Sequence, residues 1–125
     1  MLDKVVVLNL SALITHQVDA AFWHEWTMFG IPGGIQFFDV FNFTLFWLLL
    51  TGLPAIVKRQ PSGLRWSLLI AATSAAVLPI HAGFALAGHE EFHLPVSVVA
   101  IVATFVFSLW QAVLTMRCRA EFQAA

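Results

Sequence analysis

Four apolar runs, each about as long as a bilayer is thick, take up most of this chain and leave it few ways to fold. They cover roughly residues 4–23, 35–57, 64–88 and 96–116, and about 20 apolar residues are enough for a helix to cross the hydrocarbon core. Of the 125 residues 60% are hydrophobic and 10% charged, and a soluble core of this size has no room for so much apolar surface. The expected fold is therefore all-α: an integral membrane four-helix bundle, with residues 1–125 forming a single transmembrane domain. The connecting stretches HEWTMFGIPGG, KRQPSG and HEEFHLP are short, so successive helices must run antiparallel.

Charge fixes the expected orientation. All six basic residues, Lys4, Lys58, Arg59, Arg65, Arg117 and Arg119, flank the same ends of the four runs. The opposite ends carry none. Basic residues in short loops stay on the cytoplasmic side, so both termini are expected inside, in a bacterial inner (cytoplasmic) membrane. Trp23, Trp26 and Trp66 sit where interfacial aromatic belts form. Lys4, the apolar stretch 5–14 and Val18-Asp19-Ala20 also resemble a signal peptide with its cleavage site. The apolar run continues through Phe22 and Trp23, which favours an uncleaved first helix. Nucleic-acid binding is excluded as a function class, because a net charge of -1 comes with no basic patch. A single cysteine, Cys118, excludes an internal disulfide and reads as an ordinary reduced thiol.

The third run carries Ala71, Ala72, Ala75 and Ala76, then Ala82, Gly83, Ala85 and Gly88. Small residues let helices approach closely in lipid, so this helix is expected at the bundle centre. Pro79 should interrupt it and free the carbonyl of Ala75.

The chemistry lies at the end without basic residues. His16, His24, His81, His89 and His93 are all there, with Asp19, Glu25, Asp39, Glu90 and Glu91. Counting inward from the run boundaries puts His16, Asn42 and His81 at one depth, roughly 10 Å in, with Asp19 and Asp39 at about 6 Å. Ionisable groups inside a span are expensive and face the bundle interior or a water-filled cavity. The metal-ligand candidates are His16, Asp19, His24, His81, His89 and His93. The catalytic candidates are Glu25, Asp39 and Glu90, as general bases on a metal-bound water. Imidazole and carboxylate suit Zn, Fe, Cu or Mn. His16 and His81 are also the candidate axial ligands of a haem b. HEEFH has the H-E-x-x-H spacing, but it falls in a short loop before Pro95 and lacks the long helix that motif needs.

The segment His16-Gln17-Val18-Asp19-Ala20-Ala21-Phe22-Trp23-His24-Glu25-Trp26, followed by Met28-Phe29-Gly30-Ile31-Pro32-Gly33-Gly34-Ile35-Gln36, resembles a domain-of-unknown-function family of small bacterial membrane proteins. That family carries a similar H-Q-x-D-A-A-x-W-H-E-W signature. The resemblance implies four membrane helices and makes the His-Asp-His-Glu segment the signature, without naming a substrate. In residue types and architecture alone the chain is also similar to the emopamil-binding and sterol-isomerase superfamily, where His and Glu handle protons on a lipid.

Three functional readings follow. One is a metal or proton-handling site that acts on a lipid, quinone or other apolar substrate. Another is a non-catalytic accessory subunit that meets a membrane-protein partner or forms a homo-oligomer. The last is a pH sensor built on clustered histidines.

Overall fold

A computed structural model describes residues 1–123. It is all-helical, with no strand among the described residues. Helix α1 runs Leu2–Phe22, followed by one turn, α2, at Glu25–Met28. The second span is α3, Gly34–Thr51, continued by α4, Leu53–Val57. The third is α5, Pro61–Ala75, with α6, Val77–Leu86, and the fourth is α7, Pro95–Arg117. A 3-10 turn closes the described chain at Arg119–Phe122. Leu2–Phe22, Gly34–Val57, Pro61–Leu86 and Pro95–Arg117 are each long and apolar enough to cross a membrane.

Prolines shape the two broken spans. Pro79 has no N–H for the carbonyl of Ala75, and the third span breaks at Ala76 between α5 and α6. Pro54 does the same to Leu50, and the second span breaks at Gly52. Gly52 is needed for a second reason: a Cβ there would lie 2.6 Å from the ring of Trp66. Gly63 faces the backbone of Ala55 with equally little room. Together these two glycines let α4 fold back tightly on α5.

The third span lies at the bundle centre, as its alanines led us to expect, because it packs on the other three spans, most heavily on α7. Helix α7 packs along both α1 and α5 and buries a stripe of mostly small and hydroxyl residues: Ser97, Ala100, Ile101, Thr104, Ser108, Gln111 and Thr115. Of the alanines on α5, Ala71 is buried whereas Ala72 is exposed. Helix α3 is the least engaged; only Phe38 and Leu49 of its residues are buried.

Half-way along the bundle, nearer the basic end, α1, α5 and α7 share a buried polar layer. Asn9 Nδ2 donates to Gln111 Oε1 at 2.8 Å, and Gln111 Nε2 donates to the carbonyl of Ser67 at 2.8 Å and to its Oγ at 3.2 Å. Thr115 Oγ1 donates to the carbonyl of Gln111, so the 2.6 Å contact with Ser67 has Ser67 as donor. Each hydroxyl proton is used once, and the remaining buried acceptor is Asn9 Oδ1.

The basic end is tied by Arg59. Its guanidinium donates to both carboxylate oxygens of Asp3, at 2.8 and 3.3 Å, and to Glu121 at 3.0 Å. It also lies over the ring of the buried Phe122. The hydrogen bond it donates to Asp3 is the main reason its pKa is raised above the ordinary value, so the group is charged at every working pH. The Cys118 thiol is raised by burial first and by Glu121 second, which fits an unreactive thiol.

Candidate metal centre

At the other end of the bundle, three buried side chains from three separate elements converge. His16 comes from α1, Glu25 opens α2, and His81 comes from α6; they are 1%, 7% and 8% exposed. One ligand atom from each lies within 4.8 Å of the other two. His81 Nε2 lies 3.3 Å from Glu25 Oε1.

Backbone strain puts Glu25 there. His24 adopts a left-handed conformation, φ 54°, which turns the chain sharply after α1 and sends Glu25 back beneath it. Non-glycine residues seldom occupy this region. Phe92 is left-handed as well, φ 63°, and its buried ring closes the cluster from the α6–α7 loop. It meets His81 edge-on at 4.4 Å and His16 at 5.7 Å. Trp23 Nε1 donates to Ser97 Oγ at 3.2 Å and so fixes the end of α1 against the start of α7.

The electrostatics of His81 carry the chemical argument. Its Nδ1 lies 2.9 Å from the carbonyl of Val77, a partner that can only accept, so Nδ1 holds the proton. In the neutral ring Nε2 then presents a lone pair to the carboxylate of Glu25. Two acceptors facing each other in a buried site repel unless a proton or a metal ion lies between them. Nε2 has no hydrogen bond, and neither does the buried Nδ1 of His16. A metal-ligating histidine commonly donates its other N–H to a backbone carbonyl, which fixes tautomer and ring orientation. His81 has that arrangement.

The other sequence candidates lie outside this group. Asp19 is half-buried one turn beyond His16, with Oδ2 unpaired. His24 is exposed and packs on Trp26. His89 and His93 share no helix turn, because α6 ends at Leu86 and Gly88 has φ 92°. His89 pairs loosely with Glu91 at 3.4 Å, whereas His93 Nδ1 meets the carbonyl of Glu90 at 2.7 Å. Asp39 and Glu90 are exposed. Asn42 turns its amide to the carbonyl of Phe38 and does not join the cluster.

Two imidazoles and one carboxylate, with room left in the coordination sphere, match the donor sets of catalytic zinc and non-haem iron(II) sites. They do not match a haem held between His16 and His81. Those rings already touch edge to face at 4.8 Å, which leaves no slot for a macrocycle.

The sequence model of a family of unknown function, DUF6713, matches residues 2–118. The chain belongs to that family. No curated protein and no solved structure matches it. In this DUF6713 member the converging residues come from both halves of the matched region, His16 and Glu25 from the first and His81 from the second.

Proposed function

We propose that this DUF6713 protein is an integral membrane metal protein whose ion is held by His16, Glu25 and His81. We place it in the bacterial inner membrane, with the metal towards the outer face and both termini in the cytoplasm. The six-to-zero partition of basic residues supports that orientation. The single observation that carries the metal reading is the convergence of one ligand atom each from the buried His16, Glu25 and His81 within 4.8 Å of one another. A Zn, Fe, Cu or Mn ion would be held by these three side chains. There it can polarise an oxygen of a lipid, quinone or other apolar substrate. Glu25 then serves as a ligand, and Asp19, one turn beyond His16, has an unpaired carboxylate oxygen.

Elemental analysis of untagged, detergent-purified protein tests this. The expected result is about one transition metal per chain in the wild type, with loss to background in His16→Ala and His81→Ala. Wild-type protein that stays metal-free after growth and purification with these metals supplied overturns it.

One observation favours a second reading, that of an accessory subunit. Asp39 leaves a carboxylate exposed on α3, inside a segment apolar enough to span the membrane, where an unpaired charge is unfavourable. Co-purification of another membrane protein that is lost in Asp39→Asn supports that reading; its absence counts against it.

A further inference from the structure

A chamber of about 240 Å³ lies at the same end of the bundle as the metal cluster, between α2, the loop after it and the first turns of α3. The left-handed backbone of His24 turns the chain into α2, which brings Glu25 and Trp26 to the chamber. The N–H of Ile31 donates to the carbonyl of Trp26 at 2.9 Å and draws the loop back on itself. Helix α3 then supplies Phe37, Phe38 and Phe41. With Trp26 and Phe29, five of the lining residues are aromatic.

The rings come in close pairs. Between centroids, Trp26 and Phe38 are 5.3 Å apart, and Phe37 and Phe41 are 6.3 Å apart. A cation is attracted to a ring face within about 6 Å of its centroid, so one cation can engage both members of a pair. Phe29, Phe37 and Phe41 are also exposed at the surface of the bundle, near the start of α3, where lipid head groups meet a membrane helix.

Glu25 is the charged member of this lining. Its Oε1 is turned to His81, and neither of its oxygens is sealed from solvent as His81 Nε2 is. One carboxylate among aromatic rings selects its guest. A metal ion needs several lone pairs and finds a single carboxylate here. A primary ammonium carries three N–H donors and a guanidinium five, more than that carboxylate can satisfy. A neutral apolar molecule leaves the charge of Glu25 unanswered. A quaternary ammonium has no N–H to satisfy, presents methyl groups to the rings and carries the opposite charge. The chamber is smaller than the roughly 300–1,000 Å³ of sites that enclose a whole small molecule. It suits a trimethylammonium head, with the rest of the ligand outside.

We infer that the chamber formed by Glu25 and the rings of Trp26, Phe37, Phe38 and Phe41 binds a quaternary ammonium, carried by a lipid head group or by a small soluble amine. This goes beyond the metal reading: Glu25 is common to both sites, whereas the rings belong to the chamber alone.

The test uses full-length protein in nanodiscs of phosphatidylglycerol, which supplies no ammonium. The probe is radiolabelled choline, set against 3,3-dimethyl-1-butanol, its neutral counterpart with carbon in place of nitrogen. Choline is expected to bind saturably, about one per chain, and the alcohol to compete at least about tenfold more weakly. Trp26→Leu and Phe41→Leu should each weaken choline about tenfold with metal content as in the wild type, and Glu25→Gln should weaken choline as much. Trp47→Leu, at an exposed ring elsewhere on α3, should leave it unchanged. Choline bound by a wild type that holds no metal overturns the metal reading and upholds this one. Discs with about one-tenth phosphatidylcholine identify the source. A lipid source leaves about one phosphatidylcholine on each chain after detergent extraction, read by mass spectrometry, and blocks choline; a soluble source leaves choline binding unaffected by that lipid. The inference is overturned if the wild type binds choline no better than the alcohol and retains phosphatidylcholine no better than phosphatidylglycerol. It is equally overturned if Trp26→Leu, Phe41→Leu and Glu25→Gln all bind as the wild type does.

Discussion

Two buried polar clusters lie on the same helices of this bundle, and they are built to opposite rules. On α1, Asn9 belongs to one and His16, seven residues on, to the other. On the third span, Ser67 belongs to the first and His81 to the second. The Asn9–Gln111–Ser67–Thr115 layer spends nearly every donor and acceptor on another member. The His16–Glu25–His81 cluster instead leaves two imidazole nitrogens unpaired and sets one of them against a carboxylate. The first is complete as protein, and it fixes how α1, α5 and α7 meet. The second closes only when a proton or a metal ion joins it. Polarity inside a membrane bundle is thus no sign of function by itself; what distinguishes the two clusters is whether the hydrogen bonds close.

The largest expected effect is on metal content. His16→Ala and His81→Ala should reduce it from about one ion per chain to background. Gln111→Leu, in the closed layer, should leave it at one, as read by elemental analysis. Equal loss in all three would erase the distinction.

Stability should show the reverse order. Gln111→Leu orphans Asn9 and Ser67 and should cost about 2–3 kcal/mol in detergent unfolding. In metal-free protein, His16→Leu should cost less than about 1 kcal/mol, since it removes a buried group that has no partner.

A finer comparison uses double-mutant cycles. Ser67→Ala with Thr115→Val should show a coupling of roughly 0.5–1.5 kcal/mol. His16→Ala with His81→Ala should show almost none without metal and a strong coupling with it. The smallest effect is at the basic end, where Arg59→Ala should lower stability by about 1 kcal/mol at low salt, and by less at high salt. Metal content should be unchanged by it.

Much of the fold was legible in the sequence, because hydropathy and loop length act on whole segments. The helix bounds fall within three residues of the apolar runs. His16 and His81 could be matched by counting residues inward, since both lie on regular helices whose rise per residue is constant. Sequence alone offers Glu25 as a candidate general base beside Glu90, not as a ligand. Its inward turn depends on the left-handed backbone of His24, which no local composition announces. The His89–His93 spacing pointed to a ligand pair only if the helix continued, and Gly88 ends it. The closed layer was missed although its signal was present. Asn9, His16 and Trp23 are spaced by seven on α1, as are Ser67, Ser74 and His81 on the third span. Serine and threonine in membrane helices commonly bond to their own backbone, so that spacing alone does not mark an interhelical layer. The buried stripe of α7 was hidden for the same reason, since it relies on hydroxyls more than on alanine.

The most direct test of the central claim is the X-ray absorption spectrum of the metal-loaded protein, recorded at the edge of whichever ion it retains. The account expects two imidazole nitrogens and at least one oxygen in the first coordination shell, no sulfur, and loss of one imidazole in His81→Ala. A spectrum of oxygen ligands alone, unchanged by that substitution, would place the ion elsewhere and contradict it.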